Sequence, residues 1–187
     1  MVSACLGTEA CRYDGRRLPG GIVAELAAHA DLIPVCPEVE IGLGVPRDPI
    51  LLVSGPDGVR LVQPSTARDL TRDMEGFAAR FLDGLGDVDG FVLKSRSPSC
   101  GTRDVPVHAS TASQTSVING APGRFASAVL ERFPDAAIED EERLSVSGIR
   151  ERFLTRLFAR ARRREIAAGR LSAGGAAGPA YPEALRR

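Results

Sequence analysis

The sequence predicts an α/β fold in which a mostly parallel sheet is flanked by helices. Residues 1–4, 32–35 and 90–93 are short apolar runs with the length of buried strands. Residues 20–30 carry apolar side chains at helical spacing, as expected for the crossover helix of a βαβ unit. A cysteine-bearing turn follows each apolar run, so the three turns share one edge of the sheet if the strands are parallel.

Composition limits the classes of protein to be considered. The 187 residues, 43% of them hydrophobic, suffice for one domain with its own core. A net charge of zero gives no overall electrostatic attraction to nucleic acid or to an acidic membrane. We find no signal-peptide pattern and no apolar window of bilayer length, and therefore expect a cytoplasmic protein. In that reducing compartment the four cysteines are expected to be metal ligands, catalytic groups or inert thiols rather than disulfides.

The middle of the chain predicts a hairpin and a helix. Residues 49–53 and 59–62 are apolar and are separated by the turn S-G-P-D-G, which predicts a hairpin beside the main sheet. Ser65 or Thr66 is expected to cap a helix over residues 67–82, whose apolar stripe would lie on the sheet.

The rest of the chain predicts two further helices, a strand and a tail. Residues 111–120 are polar and suggest a lid or active-site loop. A helix, a short strand and an amphipathic helix are predicted over residues 122–133, 136–138 and 149–166. We expect an α/β domain, a C-terminal helix and a disordered Gly/Ala/Pro-rich tail, covering residues 1–145, 146–166 and 167–187.

The candidate functional site is centred on V-C-P-E-V-E-I-G-L-G-V-P-R, which contains Cys36 and Glu38. Pro37 cannot donate to a sheet ladder, so the strand should end at Cys36 and leave the next residues exposed. Cys5 and Cys100 occupy comparable turns, which allows a shared metal or cluster site. The alternative is a set of inert thiols, because the chain lacks the C-x-x-C pairs of zinc ribbons and thioredoxin-type proteins.

Several polar residues near these cysteines allow a structural and a functional interpretation. Glu38 is either a solvated carboxylate or a base that takes a proton from water. Ser97 and Ser99 either form a turn or orient a polar substrate. Asp14 and Arg47 either pair with each other or contact substrate.

Lys94 is the only lysine among 24 basic residues, which suggests a specific role for its ammonium group. His29 and His108 are not spaced like metal ligands. The arginine-rich run over residues 156–164 could meet RNA phosphates, but such a run is more often the solvated face of a helix. We therefore do not expect a nucleic-acid partner.

Three ordered motifs, V-S-A-C-L-G-T-E-A-C-R-Y-D-G, V-C-P-E-V-E-I-G-L-G-V-P-R and K-S-R-S-P-S-C-G, resemble a bacterial family described as a domain of unknown function that includes a thiouracil desulfidase. The resemblance implies a Rossmann-like α/β fold and a [4Fe-4S] cluster held by Cys5, Cys36 and Cys100. It also implies acid/base roles for Glu38 and Ser97.

The resemblance leaves the role of Cys11 open, and Cys11 could replace Cys5 as a ligand. Three thiolates on a four-iron cluster leave one iron able to act as a Lewis acid toward a thiocarbonyl sulfur. Water activated by Glu38 would attack the carbon, with Ser97 assisting proton transfer, and hydrosulfide would leave without net redox change.

Residues 125–163 are similar to fused relatives in which a second helical domain follows.

The leading hypothesis is therefore a cluster-dependent desulfidase whose partner is a small thio-compound such as a thiolated pyrimidine. The candidate substrate-binding residues are Asp14, Arg47, Lys94 and Ser99. One alternative is a non-catalytic iron-sulfur or zinc module serving a helical partner. Another is a protein that handles sulfur in tRNA through its arginine-rich helix.

Overall fold

A computed structural model of the protein describes residues 1–112, 116–172 and 181–186. The strands are β1 (Val2–Ser3), β2 (Pro34–Val35), β3 (Leu51–Gly55), β4 (Gly58–Gln63), β5 (Arg68–Asp69), β6 (Gly90–Leu93), β7 (Val105–His108), β8 (Ser116–Ala121) and β9 (Ala137–Asp140). The helices are α1 (Gly21–Leu26), α2 (Pro37–Glu40), α3 (Thr71–Gly84), α4 (Arg124–Arg132) and α5 (Ser147–Ala167).

The predicted parallel sheet is confirmed. Its four strands lie in the order β2-β1-β6-β9, and every neighbouring pair is parallel. Helix α1 connects β1 to β2 as the expected crossover. The carboxyl ends of β1, β2 and β6 consequently lie along one edge, where the three cysteine-bearing turns follow them.

Strand β6 runs through the middle of the core and is buried along its whole length. Phe91 and Leu93 belong to the apolar cluster that includes residues of α3 and α4. Val92 points to the opposite face and packs in the cluster that includes residues of α1 and α5. This two-residue alternation places helices on both faces of the parallel sheet.

The predicted hairpin is present, but it belongs to a second sheet. β3 and β4 are antiparallel, and five strands lie in the order β5-β4-β3-β7-β8. β3 also pairs with β7 in parallel, so the hairpin belongs to the five-stranded sheet and not to the four-stranded one. The lid predicted over residues 111–120 is also corrected: residues 116–121 form β8, which pairs with β7, and residues 113–115 lie outside the described part of the chain.

The predicted start of the third helix is wrong by several residues. Ser65 and Thr66 lie in a 3-10 turn, and α3 begins only at Thr71. Asp69 takes the capping role from the position before the N-cap residue, Leu70, whose own side chain makes no cap. Asp69 Oδ1 accepts hydrogen bonds from the Thr71 amide at 3.0 Å and the Thr71 hydroxyl at 2.6 Å. The intervening strand β5 pairs with β4, so sheet pairing displaces the helix start.

Helix α5 confirms the predicted amphipathic helix and is part of the core, with Phe153 and Leu154 buried. The disorder predicted over residues 167–187 does not hold at residues 181–186. Tyr181 and Leu185 are buried against the same cluster, and Arg150 Nε donates to the Leu185 carbonyl at 3.0 Å. Residues 173–180 and 187 lie outside the described part. Within the described ranges, no helix is both long enough and apolar enough to cross a bilayer.

Asp69→Ala should lower the free energy of unfolding by about 1 kcal/mol, the usual effect of losing a helix cap. Hydrogen bonds from Thr71 lower the pKa of Asp69 to about 2, so the carboxylate stabilises the fold above its ordinary pKa of about 4 and stops doing so as the pH falls through about 2. Urea denaturation at about pH 7 measures the loss of stability in the variant. The same measurement at about pH 2 tests whether the difference between wild type and variant becomes smaller.

The matched control is Asp73→Ala, because Asp73 also lies in the first turn of α3 but forms a 3.7 Å ion pair with exposed Arg68. We expect its cost to stay below about 0.5 kcal/mol. Equal losses in the two variants would contradict the capping role of Asp69.

Candidate functional site

A cavity of about 270 Å³ opens at the carboxyl edge of β1, β2 and β6. All four cysteines of the chain line it: Cys5, Cys11, Cys36 and Cys100. The structure therefore brings together the three cysteines that the strand pattern predicted to converge, and it adds Cys11. None of the four is disulfide-bonded.

The Cys5 turn is held by close backbone packing. Directly after β1, the Leu6 amide donates to the Ser3 carbonyl at 2.9 Å, and the Leu18 amide donates to the Cys5 carbonyl at 3.0 Å. Gly7 has a φ of +90°, and a β-carbon there would stand 2.5 Å from the Gly20 Cα. Only glycine fits both the conformation and the space.

The Cys36 turn follows from the proline after it. Cys36 ends β2 in an extended conformation, and Pro37 is the first residue of the short helix α2, where its missing amide costs nothing. The Cys36 thiol donates to the Cys11 carbonyl at 3.6 Å. Pro37 therefore turns the chain so that Cys36 and Glu38 both face the cavity.

The Cys100 turn is organised by Ser97 and by the start of α4. Ser97 Oγ accepts hydrogen bonds from the amides of Ser99 and Cys100 at 3.2 and 3.1 Å. The first amides of α4 donate to this turn, Arg124 to the Pro98 carbonyl at 3.0 Å and Ala126 to the Ser99 carbonyl at 2.9 Å. The turn carbonyls thus satisfy amides that a helix start leaves without partners.

Glu38 lies at the centre of a polar network. Its Oε2 accepts a hydrogen bond of 2.8 Å from Arg47 Nε, and Arg47 Nη2 forms an ion pair with the same oxygen, also at 2.8 Å. Its Oε1 accepts from the Ser99 hydroxyl at 3.0 Å and from the Ser97 hydroxyl at 3.5 Å. The two oxygens of one carboxylate therefore have different partners.

Burial disfavours the thiolate form of three cysteines. It raises the pKa of Cys5 to about 11, with a further contribution from nearby Cys36. The pKa of Cys11 rises for the same two reasons. Burial also raises the pKa of Cys100 well above its ordinary value, against the opposing effect of a hydrogen bond with Ser3. A cationic centre in the cavity would supply the charge that holds such groups as thiolates.

The thiols do not fit a single metal ion. Within the described ranges, no group of three or more His, Cys, Asp or Glu side chains is arranged to hold one. In an iron-sulfur cluster each thiolate binds a different iron, so the sulfurs stand farther apart than around one zinc ion. Thiols that enter one cavity from the turns after three different strands therefore fit a cluster better than a mononuclear site.

The other predicted site residues have different positions. Lys94 lines the cavity, and its ammonium bonds to Glu141 and, at 2.8 Å, to the Ser95 hydroxyl. Ser99 is fully buried behind the wall. Asp14 does not pair with Arg47; its carboxylate pairs with Arg12 and Arg16 instead.

Sequence reasoning missed several residues that line the cavity, among them Ser3, Tyr13, Pro49 and Ile50. Tyr13 is 45% exposed, and the Arg12 guanidinium lies 5.4 Å from its ring centroid. Its place between Cys11 and Asp14 in C-R-Y-D-G was the available signal. Pro49 and Ile50 precede β3 of the second sheet, and no local pattern indicates that they reach this site.

Known proteins resemble the chain across this site. A family model described as 2-thiouracil desulfurase matches residues 1–141. The protein YbbK of Bacillus subtilis (strain 168), described as uncharacterized, is 31% identical over 110 residues, which cover 54% of this chain and 72% of YbbK. A solved structure of a [4Fe-4S]-dependent thiouracil desulfidase, TudS, superposes with a TM-score of 0.56 at 26% identity. That match covers 77% of this chain and 91% of TudS.

Gly123→Ala should loosen the Cys100 turn, because the new β-carbon would stand 2.5 Å from the carbonyl carbon and oxygen of Ser99. We expect a loss of about 1–3 kcal/mol in unfolding free energy and faster alkylation of Cys100, which is now buried. Denaturation and mass spectrometry of the labelled thiols measure the two effects. Gly84→Ala is the control, since a β-carbon there meets nothing within 4 Å. Unchanged Cys100 labelling in Gly123→Ala would contradict the proposed support.

Proposed function

Because the chain belongs to the 2-thiouracil desulfurase family, we propose that its cavity carries out the non-redox desulfuration of a thiolated pyrimidine. In this hydrolysis the oxygen of water replaces the sulfur on the carbon, and both protons of the water leave with the sulfur as hydrogen sulfide. No oxidant or reductant is consumed. The observation that carries the proposal is an oriented carboxylate, Glu38, in the same cavity as Cys5, Cys36 and Cys100.

The cofactor in this proposal is a [4Fe-4S] cluster held by Cys5, Cys36 and Cys100. Their convergence on one cavity from three different turns and the description of the TudS structure support this assignment. When bound, such a cluster supplies an iron without a protein ligand, which is a Lewis acid suited to a soft thiocarbonyl sulfur. Cys11 is the fourth thiol and the one alternative ligand on the cavity wall.

Glu38 is the proposed base, acting through Oε1. Arg47 occupies Oε2 with a hydrogen bond and an ion pair, whereas Oε1 accepts from the hydroxyls of Ser97 and Ser99. A water molecule beside Oε1 could pass its proton to this oxygen while attacking the thiocarbonyl carbon. Ser99 is fully buried, so it is better placed to hold Glu38 than to contact substrate.

Ser97 is the proposed donor in proton transfer. Its oxygen already accepts two amide hydrogen bonds, which leaves the hydroxyl proton as its remaining bonding group. That proton can point to Glu38, at 3.5 Å, or to a substrate atom in the cavity. Ser97 is therefore suited to return a proton that Glu38 has accepted.

The remaining walls suit a small flat ring. A volume of about 270 Å³ is at the small end of ligand pockets, which excludes bulky substrates. Tyr13, Pro49 and Ile50 supply apolar surface, and an aromatic side chain can stack on a heterocycle. Lys94 provides a cation in the cavity lining, and its pairing with Glu141 fixes its position.

The tRNA hypothesis gains no support from the arginine-rich helix. Arg160 donates to the Val88 carbonyl, and Arg164 pairs with Asp89. Both partners precede β6, whereas the cavity lies beyond its carboxyl end. RNA held by these arginines would approach the wrong edge of the sheet, so the absence of a nucleic-acid partner stays our prediction.

Cys5→Ser, Cys36→Ser and Cys100→Ser should each lose the cluster, whereas Cys11→Ser should keep it. The physical reason is that a hydroxyl replaces thiolate poorly as an iron ligand. Anaerobic purification followed by the visible spectrum and by iron and sulfide analysis measures the loss. A Cys11→Ser variant without iron, beside an iron-loaded Cys5→Ser variant, would reassign the third ligand to Cys11.

Glu38→Gln should keep its iron and sulfide but release hydrosulfide from 2-thiouracil about a hundredfold more slowly or worse, because the amide cannot accept the proton. Glu40→Gln is the control, since Glu40 is an exposed carboxylate of the same short helix. Hydrosulfide release under anaerobic conditions measures both variants. Full activity in Glu38→Gln would remove Glu38 as the base.

A further inference from the structure

We propose that Arg47 is a positioning residue that links the base Glu38 to the cluster ligand Cys36. This inference rests on the proposed function and adds a residue role to it. Arg47 was expected either to pair with Asp14 or to contact substrate. Its actual neighbours point to a different task.

The guanidinium of Arg47 has a partner for each of its nitrogens. Nε donates to Glu38 Oε2 at 2.8 Å, Nη2 forms an ion pair with the same oxygen at 2.8 Å, and Nη1 donates to the Gly44 carbonyl at 2.9 Å. Nη2 also lies 3.8 Å from the Cys36 sulfur, within hydrogen-bonding distance of that atom. The side chain is only 4% exposed, so it has little surface left for a substrate.

The backbone on either side fixes where this side chain starts. The Arg47 amide donates to the Tyr13 carbonyl at 2.8 Å, which ties its segment to the loop that carries Cys11. The Leu43 amide donates to the Glu38 carbonyl at 3.1 Å, so the chain returns past α2 before it reaches Arg47. The segment that carries Arg47 is therefore bonded to the Cys11 loop and to α2, and from there the Arg47 side chain reaches Glu38 and Cys36.

The first consequence concerns the carboxylate. A hydrogen bond from Nε and an ion pair with Nη2, both on Oε2, oppose rotation of the Glu38 carboxylate, and the Ser99 hydroxyl donates to Oε1 at 3.0 Å. The planar fork of arginine makes this arrangement possible, whereas a lysine ammonium is a single point of charge. Arg47 thus keeps Oε1 as the oxygen that faces the reaction.

The second consequence concerns the cluster. A hydrogen bond and a positive charge at the Cys36 sulfur stabilise negative charge on that ligand. Adding an electron to a cluster adds negative charge, so the contact should raise the reduction potential of the cluster that Cys36 helps to hold. The reaction itself consumes no electrons, which makes the potential a readout independent of turnover.

The test compares Arg47→Gln and Arg47→Lys with the wild type and with Arg132→Gln. Arg132 is a suitable control because it does not line this cavity, is exposed and pairs with Asp83. Each protein is purified anaerobically and characterised by iron and sulfide content, unfolding temperature, reduction potential, and kcat and KM for 2-thiouracil.

Arg47→Gln should shift the potential to a more negative value and lower kcat by about 10–100-fold, with KM within about twofold of wild type. Arg47→Lys should keep the potential close to wild type, because the charge stays near Cys36. Its kcat should still fall about tenfold, because the ammonium cannot form both bonds to Glu38. Arg132→Gln should match the wild type.

Three results would overturn the proposal. A raised KM with unchanged kcat in Arg47→Gln would make Arg47 a substrate-binding residue. Unchanged potential and kcat in both variants would remove any role. If both variants lose iron and unfold at a lower temperature, Arg47 is a structural residue only. If Arg47→Gln alone loses iron, the result supports the contact to Cys36. If the wild type holds a cluster but releases no hydrosulfide, the proposed function fails, and the potentials still test the Cys36 contact.

Discussion

The parallel hydrogen bonding of β1 to its two neighbours is the constraint on which the site depends. β1 has only two residues, yet Val2 is aligned with Pro34 on one side and with Val92 on the other. The Lys94 amide continues this alignment by donating to the Ser3 hydroxyl at 3.0 Å. A change of register would move the Cys5 turn away from those of Cys36 and Cys100, because side-chain direction alternates along a strand.

Hydrogen bonds within the protein hold the site residues in place. Amides at the start of α4 bond to carbonyls of the Cys100 turn, Ser97 bonds to two amides of that turn, and Arg47 bonds to Glu38. Each of these contacts satisfies a polar group whose burial would otherwise be costly. The same contacts that stabilise the fold therefore orient the groups proposed to act on substrate.

The sequence predicts the parts of this structure that local patterns determine. Apolar runs that end at Cys5, Cys36 and before Cys100 predict parallel strands, and their order predicts convergence. Contacts made between distant segments have no such signal. The pairing of Arg47 with Glu38 depends on how the chain returns after α2, and Asp14 finds its partners within its own loop instead.

The misplaced elements have the same cause. Ser65 and Thr66 are good capping residues, but pairing of β5 with β4 holds the following residues in a strand and leaves the capping role to Asp69. The Gly/Ala-rich composition near the C-terminus predicts disorder, yet two apolar residues, Tyr181 and Leu185, pack into the core. In both cases tertiary contacts outweigh local preference.

The cavity takes its walls from two sheets. The thiols come from turns of the parallel sheet, whereas Pro49 and Ile50 come from the segment that enters the second sheet at β3. Residues of the second-sheet segment, which are proposed to contact the substrate, can therefore change in evolution while the cysteine-bearing turns stay intact. Related proteins can in this way keep one desulfuration chemistry and differ in the sulfur compound that they accept.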